Sequence, residues 1–419
     1  MPTGSDPLPP PLMTSTPGSF ARQTIVERKP QILREVSQAH PYPPDIQAGL
    51  AAFAAEIAAQ PIRPLTEGAP DCGLWNAALA PFAGRTWLEV PWYLAETLFY
   101  RRLMEIVRFY RPGPWQDVDP FAPQKAAALE RALPAFLPIL LQAEANPQTA
   151  VTQMMHDALW GNLADLSNRT VTAQAGRRSQ DLLLIDDTPQ IWRYLAGNPI
   201  RRVDLIADNS GLELLLDLRL VDFLLRAGLT HQVRIHLKRM PFFVSDAMVR
   251  DMYHTFHSCE AAGDLHESPG REFAARLRAA IRAGQIVVCD DPFWSTCLAY
   301  CPYGGEPGRP LPAPEPLDRE LAGSDLVLLK GDVNYRRLLD DRQWPHTAHM
   351  ADIAAGFPAP FVALRTLKGE LIVDLQPGQA EALAAADPTS WMINGQRGLV
   401  QFVDKVGCDA QDPGTGRVR

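Results

Sequence analysis

The chain has 419 residues, with 40 Lys and Arg against 48 Asp and Glu, so its formal charge is −8, and 46% of its residues are hydrophobic. This is an ordinary globular composition, and at roughly 100–200 residues per domain the length allows two or three domains. A mildly acidic chain has no general attraction for nucleic acid or an anionic membrane, so we expect neither as a partner. We also find no apolar run near the roughly 18 residues of a membrane span and no secretory signal. The six cysteines form no C-x-x-C pair, which favours a reducing, cytoplasmic compartment.

The first part of the chain predicts an all-helical N-terminal domain. Residues 1–20 are rich in Pro, Ser and Thr, so we expect a disordered leader. Residues 21–175 then form the helical domain, in which prolines mark the breaks. Periodic apolar positions predict helices over 46–59, 92–110, 122–133, 134–145 and 150–166.

The second part, residues 176–408, changes to short β-rich runs separated by stretches of helical length. Strands that are apolar along most of their length, and that alternate with helices, indicate a mostly parallel sheet covered on both faces. The fold class is therefore α/β, a three-layer α/β/α domain preceded by the helical domain, with a flexible tail over 409–419. The predicted strands are 181–185, 202–207, 232–237, 242–244, 285–289, 325–329 and 361–364, and the predicted helices are 211–227, 249–262 and 271–283.

Polar side chains follow four of the predicted strands, at the point where each strand ends. Ligands of an open parallel sheet bind in the crevice beyond the carboxyl ends of its strands. Carboxylate and amide oxygens are ligands of a hard divalent cation, and Lys and Arg side chains donate to phosphate oxygens. These strand ends therefore indicate a divalent metal beside a phosphate site. The acidic and amide residues are Asp208, Asn209, Glu213, Asp246, Asp332 and Asn334, and the basic residues are Lys330, Arg336, Arg365 and Lys368.

Simpler interpretations of these residues stay open. Asp208 and Asn209 are also good helix caps, and Lys330 and Lys368 are also compatible with ordinary surface lysines. Against the first, Asp246 follows a second predicted strand in the same way. Against the second, only six of the 40 basic residues are Lys, and a compact ammonium suits a phosphate.

Other candidate sites have less support. The sequence Trp160-Gly161-Asn162 closes the helical domain, and Asn162 is as compatible with a turn at a domain junction as with a place over the crevice. The histidine pairs in HTFH (254–257) and HTAH (346–349) lack acidic or thiolate partners of metal-binding spacing, so core or surface histidines are favoured. The sequence contains no G-x-G-x-x-G, P-loop, G-x-S-x-G or H-E-x-x-H motif, which removes the main support for dinucleotide, nucleoside triphosphate and serine hydrolase chemistry.

Several long segments resemble the damage-control phosphatase family, also catalogued as domain of unknown function 89. Within it they resemble the subgroup of sugar-phosphate phosphatases, of which one eukaryotic member was described as an acidic-residue methyltransferase. The resemblance runs from about residue 20 to about 405. The segments are LWGNLADLS (159–167), LIADNSGLELLLDL (205–218), PFFVSDA (241–247), LLKGDVNYRRLLDDRQW (328–344) and LRTLKGELIVDLQPGQ (364–379).

The resemblance implies a divalent cofactor, typically manganese, cobalt, nickel or magnesium, held by Asp208, Asn209 and Asp246. It also implies that Lys368, in an R-T-x-K motif, binds phosphate. By the same resemblance, Asn162 contacts the substrate, and Glu213, Asp332 and Asn334 lie near metal and substrate. The sequence departs from the family pattern mildly, at 163–164 and at Gly369, where Ala is common; these departures bear on the choice of substrate more than on catalysis.

The predicted function is metal-dependent hydrolysis of a small phosphorylated metabolite, such as fructose 1-phosphate or fructose 6-phosphate, in metabolite damage control. Asp208 or Asp246 positions the attacking water; an aspartyl-phosphate intermediate is the competing mechanism. Methyl transfer from S-adenosylmethionine to acidic residues is an alternative, but no glycine-rich turn follows the first predicted strand. A metal-bearing binding module without catalysis is a second alternative, and the sequence predicts no particular protein partner.

Overall fold

The computed structural model describes residues 8–142, 146–161, 182–262, 268–300 and 315–404. The predicted tail over 409–419 lies outside these ranges. Across the described residues, no helix combines the length and the apolarity needed to cross a bilayer.

The N-terminal region is helical, as predicted. It begins with a continuous run that changes from α-helix to π-helix and back to α-helix. Proline occupies the first turn of several helices, where its missing N–H costs nothing. The α-helices are Phe20–Gln23, Lys29–Ala39, Pro44–Ala59, Cys72–Leu79, Trp92–Ile106, Ala122–Phe136 and Pro147–Trp160; the π-helix is Thr24–Arg28, and the 3-10 helices are Ala80–Phe82 and Leu137–Leu141.

The boundaries of two helices differ from the prediction for local reasons. The helix Trp92–Ile106 ends before residue 110, because Arg108 takes a positive φ of 65° that an α-helix does not accept. The helix Ala122–Phe136 continues past Pro134, where the prediction placed a break, and then tightens into a 3-10 turn.

The C-terminal region alternates strands with helices. The strands are β1 (Leu183–Asp186), β2 (Arg202–Ile206), β3 (Gln232–His236), β4 (Ile286–Cys289), β5 (Leu326–Lys330), β6 (Phe361–Thr366) and β7 (Gly398–Val403). The helices are Thr188–Gly197, Leu212–Arg226, Val249–Ala261, Pro269–Arg282, Glu315–Ala322, Gly331–Leu338, Met350–Ile353 and Gln379–Ala386, with a 3-10 turn at Pro292–Ser295.

The strands form one seven-stranded sheet in the order β1-β7-β6-β5-β2-β3-β4. The five strands from β6 to β4 are mutually parallel, and β7 runs antiparallel to β6. From β2 the chain goes outward to β3 and β4, and then returns to the other side of β2 to form β5 and β6. The order therefore reverses between β2 and β5, which opens a crevice at their carboxyl ends.

Both faces of the sheet are covered, which explains the continuous apolar runs. In β5, Leu326 and Leu328 pack into one hydrophobic cluster, and Val327 and Leu329 pack into another on the opposite face. The helix Leu212–Arg226 contributes to the first cluster. The predicted three-layer α/β/α class is confirmed.

Among the strands, the prediction contains one that the structure lacks and misses one that the structure has. Residues 242–244 are not a strand: Phe243 and Val244 have positive φ values of 44° and 66°, and the segment is a turn. Its apolar run has another cause, since Phe242 packs in the core of the helical region. The prediction also missed β7, which pairs with β6 from Phe361↔Val403 to Thr366↔Gly398.

Part of the predicted disordered leader is ordered in the structure. Leu12 N donates to Asp341 O at 2.9 Å, and Trp92 N donates to Leu12 O at 2.7 Å. Thr14 is fully buried and bonds the carbonyl of Val90 through both its backbone N and its side chain. Composition did not indicate this, because the order comes from backbone partners far away in the sequence.

Candidate active site

The strand order reverses between β2 and β5, and we call this place the switch point. The residues that follow these two strands contact each other there. Asp208 follows β2, and Gly331 follows β5 with φ = +84°. A Cβ atom on Gly331 would lie 2.0 Å from Asp208 Oδ2. Glycine is therefore required here twice, by its backbone conformation and by the carboxylate that occupies the space of a side chain.

Asp208, Asn209 and Asp246, the predicted metal ligands, lie together. Asn209 and Asp246 form an isolated antiparallel bridge, and Ala247 N donates to Asp208 O at 2.7 Å. Asn209 Nδ2 donates to Asp208 Oδ2 at 2.7 Å and to Glu213 Oε2 at 2.9 Å. Because the amide nitrogen faces these carboxylates, coordination through Asn209 requires its amide to turn.

The carboxylates repel one another at this place. Burial, followed by the charges of Glu213 and Asp246, raises the pKa of Asp208 well above its ordinary value. Burial also raises the pKa of Asp246 to about 6, against the opposing charges of Lys238 and Lys125. A buried group of like charges is stabilised by a cation, so these oxygen donors fit a hard divalent metal.

The protein supplies few side chains as candidate metal ligands. Within the described ranges, no group of three or more His, Cys, Asp or Glu side chains is arranged to hold a metal ion by itself. Two carboxylates and one amide leave several coordination positions for water and substrate, which is the usual pattern of magnesium-like sites.

Lys330, predicted to bind substrate, is fully buried and bound by protein atoms. Its Nζ donates to Ala158 O at 2.5 Å and to Glu213 Oε1 at 3.0 Å, and it lies 3.2 Å from Asp217 Oδ1. Burial alone would lower the pKa of Lys330, but the carboxylates of Asp217 and Glu213 outweigh it and raise that pKa. In this arrangement Lys330 fixes Glu213 and does not face the crevice with a free donor.

Arg336 and Arg365 hold Asp332 between them. Arg336 Nε donates to Asp332 Oδ2 at 2.6 Å, and Arg365 Nε donates to Asp332 Oδ1 at 2.7 Å. Burial would raise the pKa of Asp332, but the guanidinium groups of Arg365 and Arg336 outweigh it and hold that pKa below its ordinary value. Asp332 is therefore an anion in a closed ion network, with both of its oxygens already engaged.

The same network joins the helical region to the sheet. The guanidinium of Arg336 lies 4.0 Å from the ring centroid of Trp92 and also bonds Asp341. A Cβ atom on Gly369 would lie 1.6 Å from Arg336 Nη2. The absence of a side chain at Gly369 is thus what admits Arg336 to this position.

Asn334 is buried beneath the crevice. Its Nδ2 donates to Lys330 O at 2.8 Å, and its Oδ1 accepts from Tyr300 at 3.2 Å. The side chain therefore secures the end of β5, and its contacts are with protein atoms.

Lys368 differs from the other predicted basic residues. It is half-buried, and it makes no hydrogen bond or ion pair with any residue that the structure describes. Its positive charge acts to lower the pKa of Asp208, although burial and the neighbouring carboxylates outweigh this and raise that pKa overall. It is thus a cation beside the carboxylates, free to bind an anion.

Two lysines at this site were not predicted. Lys238 follows β3 after Leu237, at the fourth strand end of this edge, and Lys125 comes from the helix Ala122–Phe136. Both contact Asp246. A sequence signal for Lys238 existed, because it is one of only six lysines and it directly follows the predicted strand 232–237; Lys125 is also one of the six lysines, but it follows no predicted strand.

The predicted substrate contact Asn162 lies outside the described residues. The preceding residue, Gly161, lies against Glu213, since a Cβ atom on it would be 3.0 Å from Glu213 Cα. The end of the helix Pro147–Trp160 is therefore placed beside the crevice.

Comparison with known proteins gives a consistent set of relatives. The family model described as the damage-control phosphatase ARMT1-like domain matches residues 19–383. The damage-control phosphatase ARMT1 of Danio rerio is 32% identical over 378 residues, covering 82% of each chain. The protein of the same name from Mus musculus is 33% identical over 435 residues, covering 92% of this chain and 96% of its own. The crystal structure of a DUF89 family protein from Pyrococcus horikoshii matches with a TM-score of 0.47 and 14% identity, over 84% of this chain and 91% of that one.

Proposed function

The chain belongs to the ARMT1-like damage-control phosphatase family, and from this premise we propose that it is a metal-dependent phosphatase of small phosphate monoesters. One observation carries the proposal. Buried carboxylates at the switch point, Asp208 and Asp246, are accompanied by the ammonium of Lys368, which has no partner among the residues that the structure describes. A site for a cation and a site for an anion are thus adjacent, as a metal phosphate complex requires.

Asp208, Asp246 and Asn209 would hold the metal. A divalent ion bound there supplies charge neutralisation for the phosphoryl oxygens and lowers the pKa of a coordinated water. Manganese, cobalt, nickel and magnesium are the candidates, because they suit a small oxygen site better than calcium does.

The chain's own residues have distinct tasks in this proposal. Lys368 binds phosphoryl oxygens through its free ammonium. Asp208 or Asp246 accepts a hydrogen bond from the attacking water and orients it. Glu213, fixed by Lys330, keeps Asn209 in place and borders the substrate. Arg336 and Arg365 act through Asp332, because their guanidinium groups are engaged by protein atoms.

The competing mechanism forms a bond between an Asp carboxylate and phosphorus before water cleaves it. Borohydride trapping during turnover separates the two, because borohydride reduces an acyl phosphate but not a free carboxylate. Direct attack leaves both Asp side chains unchanged, whereas conversion of Asp208 or Asp246 to homoserine would establish the aspartyl-phosphate path.

The substrate is proposed to be a sugar phosphate, such as fructose 1-phosphate or fructose 6-phosphate. This choice rests on the sequence resemblance and is tested by a metal-dependent screen over phosphorylated sugars. A cytoplasmic location is also part of the proposal. It is supported by the free thiols of the described part of the chain, which a reducing compartment maintains; these are Cys72, Cys259, Cys289 and Cys297.

The deciding experiment removes the metal and then the ligands. Chelation should abolish phosphatase activity, and manganese, cobalt or nickel should restore it better than calcium. Asp208→Ala and Asp246→Ala should each lose metal and nearly all activity while keeping the fold. Full activity of a metal-free preparation would contradict the proposal.

Methyl transfer gains no support from the fold. A Gly-rich turn after β1 would be needed for the cofactor, but Asp187 directly precedes the helix Thr188–Gly197 and no glycine lies between strand and helix.

A further inference from the structure

Asp246 has an ion-pair partner that the proposed chemistry does not use. Lys238 Nζ lies 3.5 Å from Asp246 Oδ2, and each residue is only 1% exposed. Neither of these two atoms makes a hydrogen bond with any described residue. An ammonium that is removed from water without hydrogen bonds is costly, so its place beside this carboxylate needs a reason.

Another cation near Lys238, Arg337, is engaged by backbone carbonyls. Arg337, whose charge acts on Lys238, donates through Nη1 to the carbonyls of Phe293 and Leu298 at 3.1 and 2.9 Å. Its Nη2 donates to the carbonyls of Trp294 and Thr296 at 3.0 and 2.7 Å. Arg337 is therefore not available to Asp246, and the positive charges that act on the Asp246 carboxylate are those of Lys238 and Lys125.

A second lysine holds the backbone of the same residue. Lys125 Nζ donates to Asp246 O at 2.8 Å, and also to Asp119 Oδ2 and Asp251 Oδ2, both at 2.9 Å. Lys125 belongs to the helical region, whereas Lys238 belongs to the sheet. Asp246 is thus held at its carboxylate from one half of the fold and at its carbonyl from the other.

We propose that Lys238 and Lys125 are positioning residues that fix Asp246 for metal binding. The inference rests on the proposed function, since it assigns these lysines to the same metal site. A carboxylate held through one oxygen by a buried cation keeps its orientation and presents its other oxygen to the metal, and such supporting contacts tune affinity. Because the Lys238 ammonium is almost fully buried, it acts through Asp246 and not on the substrate.

The experiment measures metal binding directly, without turnover. Manganese is titrated calorimetrically into the metal-free parent, Lys238→Met and Lys125→Met, since methionine keeps the length of the stem and removes the charge. Each variant should bind manganese roughly 10- to 100-fold more weakly than the parent. Lys29→Met is the matched control: Lys29 is fully buried and paired with Glu96 in the helical region, and it does not contact Asp246, so its variant should bind metal as the parent does.

A second readout separates positioning from general stability. Manganese should raise the melting temperature of the parent and of Lys29→Met, and should raise that of the two test variants much less. A parent that binds manganese, together with either test variant that binds it with parental affinity, would overturn the positioning role and leave the proposed function standing. A parent that binds no divalent metal would overturn the proposed function itself. If Lys238→Met does not fold, Lys125→Met and Lys238→Gln give the same decision.

Discussion

At the scale of single residues, the four predicted basic side chains differ in whether they have hydrogen-bond or ion-pair partners in the protein. Lys330, Arg336 and Arg365 bond carboxylates or carbonyls of the protein, and each is buried. Lys368 is half-buried and has no partner among the described residues. Among these four, the cation without such a partner is the one available to an anionic ligand, so Lys368 is the residue to which we assign the proposed phosphate contact.

Lys368→Ala should lower kcat/KM by roughly 100-fold or more, because removing one preorganised charge-stabilising donor costs about 2.7–4 kcal/mol. Manganese affinity should be unchanged, since Lys368 is not a ligand. Lys368→Arg should recover only part of the loss, because a planar guanidinium cannot occupy the position of a point charge. Steady-state kinetics and metal titration check this. Near-parental kinetics in both variants would show that Lys368 is an ordinary surface lysine with no role in phosphate binding.

Gly331→Ala should lose metal binding and activity, because the new methyl group would meet Asp208 Oδ2 at 2.0 Å. Gly378→Ala is the matched control: Gly378 has a φ of 82°, against 84° for Gly331, and a Cβ atom on it would have no neighbour within 4 Å. Both substitutions should cost about 1–2 kcal/mol of unfolding free energy from backbone strain. Equal manganese affinity in the two variants would show that the contact with Asp208 is not what matters.

At the scale of elements, the switch point sets which strand ends meet, and a buried ion cluster fixes the helices around it. Lys330 at the end of β5 joins Glu213 and Asp217 of the helix Leu212–Arg226 to the carbonyl of Ala158. The last helix of the helical region is thereby tied to the sheet directly beneath the crevice. A second ion pair, between Arg219 and Asp157 at 2.9 Å, joins the same two helices nearer the surface.

Lys330→Met should destabilise the fold by roughly 3–5 kcal/mol, because it leaves two buried carboxylates without their cation. Chemical denaturation measures this loss. Lys368→Met is the comparison, since it removes a half-buried lysine that has no partner in the described part of the chain, and it should change stability little. Parental stability of Lys330→Met, combined with a raised KM, would instead place Lys330 in contact with the substrate.

At the scale of the whole molecule, the helical region and the sheet are joined on both sides of the site. Lys125 reaches Asp246 from one helix, and Trp92 stacks on Arg336 from another. The N-terminal segment adds a third connection, since Leu12 bonds both Asp341 and Trp92 through its backbone. The site is therefore built by both halves of the chain together.

Removal of residues 1–14 should loosen this junction. The amides of Trp92 and Gln343 lose their backbone acceptors, Leu12 O and Pro10 O, so both should exchange hydrogen faster. Amides of β2 and β3, which form no hydrogen bond with residues 8–14, serve as the internal control. Hydrogen exchange read by mass spectrometry checks this, and unchanged protection at residues 92 and 343 would show that the segment does not contribute to the junction.

The sequence by itself determined the fold class and the family, and it led to the carboxylates of the site. Runs such as 202–207 and 325–329 are mostly apolar because both faces of the sheet are covered. A strand that is buried on both faces can therefore be recognised from consecutive apolar residues in the sequence. Asp208 was found for the same reason, since a polar residue directly after such a run marks a strand end, whereas Lys368 lies four residues beyond the run 361–364 and was found through the R-T-x-K motif. The run at 242–244 was misleading, because an apolar residue records burial and not backbone conformation.

Only the tertiary structure decided which side chains are paired. The sequence treated Lys330 and Lys368 alike, whereas packing places one between two carboxylates and leaves the other without a partner among the described residues. Lys125 lies 121 residues from Asp246, and nothing local to either residue indicates their contact. Burial and strand ends are local properties that a linear sequence carries, but the partner of a charge depends on distances between distant segments, which exist only once the chain has folded.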